Sequence, residues 1–175
     1  EQEGLREEAR QREYAWLTGD VRAEDRATQY GHRAAIVLFT GSAQTGKTFL
    51  ARRVEALLVA DSRHAYLLEG ENLLQGLDAD LSAADPSFAA ERVRRYGEVA
   101  RLLIDTGLIV VSTSKTFGIN YQRMAEMIRT LVQPAPVIAV HMSRAGEEPP
   151  PNTDLHFAGP QDFDAAARQI LEELK

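Results

Sequence analysis

The stretch Ala34 to Leu50, AAIVLFTGSAQTGKTFL, limits the fold more than any other part of the chain. Ala35 to Phe39 is an unbroken apolar run of strand length, suited to a strand buried on both faces, and it stops at Thr40-Gly41. Gly41, four further residues and then Gly46-Lys47-Thr48 have the spacing of a phosphate-binding loop set between a strand and a helix. Each position has a physical task. The glycines let the backbone curl so that amides of Gly41, Ser42, Ala43, Gln44, Thr45, Gly46, Lys47 and Thr48 face one concavity that can cradle phosphate oxygens. Lys47 is placed to bridge the outer phosphates. The Thr48 hydroxyl is placed to ligate magnesium, and the helix that follows offers its positive N-terminus. A glycine turn with a chance lysine is the plain alternative, and the agreement of strand, loop and helix argues against it.

A chain of 175 residues with 44% apolar content fills one domain. With no cysteine there is no disulfide and no cysteine metal site, which is compatible with a reducing cytoplasm. His32, His64, His141 and His156 lack ligand spacing, so each is read as a satisfied or solvent-facing imidazole, and magnesium brought by a nucleotide is the one metal expected. A net charge of -6 without a basic stripe argues against nucleic-acid binding. No apolar run approaches membrane-spanning length. The chain opens on Glu1, and residues 1–20 read as a charged helical lead-in or linker to a domain over 21–175, as in a domain excised from a longer protein.

Strand and helix signals alternate along that domain. Helices are predicted over Val21 to Tyr30, from the loop to Ala60, Leu73 to Leu81 in part, Glu91 to Asp105, Tyr121 to Val132 and Phe163 to Leu174. Strands are predicted at Ala65 to Leu68, Leu108 to Val111, Val137 to Val140 and Leu155 to Phe157. Val93, Val99, Leu102 and Leu103 are the expected buried side of the Glu91 to Asp105 helix. The alternation points to a three-layer α/β fold of the P-loop NTPase, nucleotide kinase-like kind, with a mostly parallel sheet flanked by helices.

Phosphoryl transfer needs carboxylates beside such a loop, to hold magnesium through water and to take the acceptor's proton. Glu69 and Glu71 end the second predicted strand, where open α/β sheets bind ligands. Two residues apart, they can point the same way, and both face the nucleotide if that strand lies beside the first. An exposed acidic turn is the alternative.

With these residues in view, the chain resembles the adenylyl-sulfate (APS) kinase family, which phosphorylates the ribose hydroxyl of APS. The resemblance rests on residues 19–48 leading through GSAQTGKT, on Glu69-Gly70-Glu71-Asn72 against the family's Asp-Gly-Asp-Asn turn, on RVRRYGEVARLLIDTGLIVV at 92–111, and on Pro151-Asn152 through Leu174. It implies ATP with magnesium as cofactor, Lys47 and Glu71 as catalytic residues, Thr48 and Glu69 near the metal, and Arg92 and Thr116 near the substrate. It also implies a dimer contact, with residues 92–103 supplying part of it.

The departures gather where the family holds its sulfonucleotide. Both turn aspartates are glutamates, and the arginine two residues after the turn's asparagine is Leu74. A leucine makes no hydrogen bond to a sulfate oxygen. Ala84-Asp85-Pro86 lacks the arginine of the family's Ala-Asp-Arg run, Arg92 stands where the family has asparagine, and the family's Phe-Ile-Ser-Pro is Ser114-Lys115-Thr116-Phe117. Met142 to Pro151 replaces a long basic lid, which would exclude water and supply cations to the transferring group.

Two readings follow. The first is a nucleotide-binding regulatory or structural module, attached to another domain, with reduced or lost transfer to APS. The second is an active kinase on APS or on a related small acceptor, supported by the retained Lys47, Thr48, Glu69 and Glu71. A GTPase is disfavoured: Thr113-Ser114-Lys115 follows a strand, but the chain has no Asn-Lys-x-Asp to read guanine. A protein kinase has a different glycine loop and a larger size.

Overall fold

Five parallel strands in the order β2-β3-β1-β4-β5 form the middle layer of the computed structural model, which describes residues 17, 19–113, 121–159 and 162–175. Of the predicted lead-in at 1–20, residues 1–16 and 18 lie outside the described residues. The strands are β1 (Ala35–Gly41), β2 (Ala65–Glu69), β3 (Ile109–Thr113), β4 (Val137–Ser143) and β5 (Leu155–Ala158). The helices are α1 (Ala23–Tyr30), α2 (Lys47–Ala60), α3 (Gly70–Leu73), α4 (Phe88–Asp105), α5 (Tyr121–Val132) and α6 (Phe163–Glu172).

The unbroken apolar run of β1 follows from its central place, since alternate side chains enter two different cores. Val37 and Phe39 pack with Leu50 and Val54 of α2 and Ile170 of α6. Ile36 and Leu38 pack with Val93 and Tyr96 of α4 and Met124 and Ile128 of α5. Local signals set the helix ends. In α1 the Arg22 N–H donates to Asp25 at 2.9 Å, and Gly31 closes the helix at φ 71°. Asp162 caps α6 by accepting from the Asp164 and Ala165 amides at 3.0 and 3.1 Å.

Three expectations are corrected. β3 lies between β2 and β1, so the strand ending in Glu69 is not beside the strand that feeds the loop. Of the side chains expected to bury α4, Leu102 is exposed. The buried face carries Arg92, Val93, Tyr96, Gly97 and Ala100, because a glycine and a neutralised arginine sit where an apolar count looks for leucines. Leu73 ends α3, and turns rather than helix carry the chain on to Leu81.

Candidate active site

The loop after β1 has the backbone of an anion cradle. Gly41, Gln44 and Gly46 have φ of 124°, 62° and 88°, a left-handed series that turns the chain sharply before α2 begins at Lys47. Gly41 has a second constraint: a Cβ there would lie 1.8 Å from the Met142 carbonyl oxygen. Ser42 N–H donates to that same carbonyl at 3.0 Å, tying the loop to β4. On the other flank, a Cβ on Gly46 would come within 2.6 Å of the Phe163 ring, which packs on Phe49 at 4.8 Å.

Lys47 is buried and its Nζ donates to the Gly41 carbonyl at 3.0 Å and to the Ser42 carbonyl. Burial holds its ammonium below the ordinary 10.5. Its charge therefore rests on the carbonyls of the loop that it is expected to serve. Tyr121, first residue of α5, donates to the same Gly41 carbonyl at 2.7 Å. Beside it, Thr40 Oγ1 and His141 Nδ1 are 2.8 Å apart, and the His141 ring meets Tyr121 edge-on at 5.2 Å. His141 is a satisfied, buried histidine, while His156 is exposed on β5 with its Nε2 2.7 Å from Ser143 Oγ.

Glu69 and Glu71 do not share a strand face: Glu69 ends β2, and Glu71 stands in the first turn of α3. β3 lies between β2 and the strand that feeds the loop, so the two glutamates stand one strand removed from β1 at the C-terminal edge of the sheet, where open α/β sheets bind ligands. Glu69 forms an ion pair with Arg52 of α2 at 3.0 Å. Tyr96 is buried nearby, its hydroxyl donating to the Leu68 carbonyl at 2.6 Å and lying 2.7 Å from Ser112 Oγ. Burial raises that phenol well above its ordinary range, and Glu71 and Glu69 add to the rise.

For magnesium, the available oxygens fit a partial site. Among the described residues no three His, Cys, Asp or Glu side chains gather, while Thr48 offers a hydroxyl at the start of α2 and Glu69 a carboxylate at the end of β2. Such a hard-oxygen set suits an ion whose other ligands are phosphate oxygens and water.

On the acceptor side Arg92 is 4% exposed, with its Nε 3.5 Å from Asp78, itself 3% exposed, and its guanidinium over the Phe88 ring at 5.5 Å. Arg94 and Arg95 are also engaged, with Glu91 and Asp80. Leu74 is exposed, and Thr116, with Ser114 and Lys115, lies outside the described residues. In place of a lid, the segment after β4 folds Glu147 against the loop, where its carboxylate accepts from Ser42 Oγ at 2.6 Å and from the Arg144 amide at 3.0 Å. Sequence reasoning missed Tyr121, Asp78, Arg52 and Phe163, whose spacings carry no motif. A cleft of about 510 Å³ lined by Ala27, Arg33, Ile104 and Pro134 opens on Gly107 and Pro136, at the opposite end of the sheet from the loop.

Comparison with known proteins agrees with this architecture. Residues 33–149 match the family described as Adenylylsulphate kinase. The chain belongs to that family. It is 38% identical over 128 residues to the adenylyl-sulfate kinase of Shewanella amazonensis, covering 73% of this chain and 63% of that protein. Against the Yersinia pestis adenylyl-sulfate kinase it is 29% identical over 189 residues, covering 91% of this chain and 87% of the relative. The structure of a variant of the Mycobacterium tuberculosis APS kinase superposes with a TM-score of 0.69 at 29% identity, covering 81% of this chain and 96% of that one. The matched part of the Shewanella protein is thus less than two thirds of its length. Among the described residues no helix is long and apolar enough to cross a membrane.

Proposed function

We propose that this chain binds ATP with magnesium at residues 41–48 as a nucleotide-binding module of a larger protein, with little or no transfer to APS. One observation carries the binding half: the loop is already curled into an anion cradle, with the Lys47 ammonium held against it. The acceptor side supports the other half. Arg92 is engaged by Asp78, Leu74 offers no hydrogen bond, and an acidic Glu147 rests on Ser42 where a basic lid would supply cations. Two absent arginine contacts to an anionic substrate forgo about 1.5–3 kcal/mol each.

A second reading, phosphoryl transfer to the hydroxyl of APS or of another small acceptor, is favoured by one feature. Glu71 stands half-buried in the first turn of α3, just past the C-terminal end of β2, on the side of the sheet where an acceptor would meet a general base. In that reaction Glu71 takes the hydroxyl proton, the freed oxygen attacks the terminal phosphorus, and ADP leaves with the bridging electrons. Lys47 would hold the transferring oxygens, and Thr48 with Glu69 would hold a magnesium ion whose charge would offset that of the phosphates.

Thermal melts and a coupled assay on the full chain separate the two. Under the first reading ATP and ADP with magnesium raise the melting temperature and ATP plus APS yields almost no phosphorylated product. Product formed at ordinary kinase rates, about 1–100 per second, and abolished by Lys47→Ala, overturns it in favour of the second.

A further inference from the structure

The turn that follows β4 puts an acid on the phosphate loop. Glu147 N–H donates to the Arg144 carbonyl at 3.2 Å, Gly146 bends the chain at φ 85°, and Ser143 Oγ donates to the Glu147 carbonyl at 3.2 Å. The side chain so aimed reaches the loop, where one carboxylate oxygen accepts from Ser42 Oγ at 2.6 Å and from the Arg144 amide at 3.0 Å. Neither donor carries a full charge, so the carboxylate keeps its own. Hydrogen bonding from Ser42 and then from the Arg144 amide holds its carboxyl below the usual range, against a smaller opposing effect of burial. The side chain is exposed, and a Cβ on Gly146 would meet nothing within 4 Å, so Glu147 can leave Ser42 without disturbing the core.

The part of the loop it covers decides what that charge does. Lys47 Nζ donates to the Gly41 and Ser42 carbonyls. In such a loop the lysine reaches the outer phosphates, while the amides and the helix N-terminus hold the inner ones. Ser42 therefore marks the outer-phosphate end, and Glu147 stands on it. We infer that Glu147 sets the phosphate preference of the site: a third phosphate must push this carboxylate off Ser42, whereas a nucleoside diphosphate binds with it in place. Repulsion between the like charges weakens triphosphate binding relative to diphosphate, without barring either. The inference rests on the nucleotide-binding reading above and concerns which nucleotide that site favours.

Calorimetric titration of magnesium ADP, and of magnesium with a non-hydrolysable ATP analogue, into the full chain gives the ratio of the two affinities. Glu147→Gln, which removes the charge at similar volume, should raise the triphosphate-to-diphosphate ratio by about threefold or more. Glu147→Ala, which removes the acceptor as well, should raise it as far. Glu148→Gln takes the same charge from the exposed neighbouring residue and should leave the ratio at its wild-type value. A rise smaller than that threshold in both Glu147 variants overturns the inference, as does an equal rise in Glu148→Gln, which would assign the effect to net charge. Failure of wild type and variants alike to take up either nucleotide defeats the nucleotide-binding reading instead, so the two failures are told apart.

Discussion

The Tyr121 hydroxyl and the Gly41 carbonyl are joined by a 2.7 Å hydrogen bond, to the same oxygen that Lys47 Nζ holds at 3.0 Å. A lysine that moves to a phosphate must leave this carbonyl, and Tyr121 is the donor that keeps it satisfied.

Tyr121→Phe should therefore weaken ATP binding. An unsatisfied carbonyl in the nucleotide-bound state costs about 1 kcal/mol, which is roughly a fivefold rise in Kd. Calorimetry with magnesium ATP checks this, and an unchanged Kd would show that the hydrogen bond plays no part in releasing Lys47.

Gly41→Ala should be far more damaging than a surface glycine change. Its φ of 124° disfavours any side chain, and the new methyl would overlap the Met142 carbonyl at 1.8 Å. A cost of at least about 3 kcal/mol lowers the melting temperature by roughly 6–12 °C and removes stabilisation by ATP. A variant that melts like the wild type would mean that β1 and β4 can part here at little cost.

Glu91 gives an acid-side prediction. Hydrogen bonding to Arg94, joined by Arg95, lowers its carboxyl from 4.5 to about 2 against a smaller opposing effect of burial. A depressed carboxylate contributes stability that is complete above pH 4.5 and fades as pH falls towards about 2. The group is partly solvated, so screening limits its worth to about 0.5–1 kcal/mol. Glu91→Gln should thus lower the melting temperature by about 1–4 °C at neutral pH, with the two curves converging near pH 2.

His141 acts in a different window. Burial, helped by His156 and Lys47 and opposed by Glu147, holds its imidazole below 6.5. The unfolded chain then binds the extra proton first, so stability present above pH 6.5 declines as pH falls below it. His141→Gln, which can keep a contact with Thr40, should flatten the decline in melting temperature between about pH 7.5 and 5.5. Equal slopes in both proteins would assign that decline to other groups.

The parts of this protein that were legible in its sequence are those encoded by neighbours along the chain. The apolar run of β1, the glycine spacing that curls residues 41–48, and the bounds of the Tyr121–Val132 helix all arise from local backbone preference and short-period burial. The tertiary structure alone decided which distant groups meet. It placed β3 between β2 and β1, set Tyr121 on a carbonyl eighty residues away, closed Asp78 against Arg92, and laid Glu147 on Ser42 across 105 residues. Such contacts depend on strand order and on the direction in which each helix packs, and neither leaves a periodic mark on the residues involved. The same reason turned Leu102 outward: burial on α4 follows the strands beneath it, where an arginine with a partner and a small glycine fit better than a leucine.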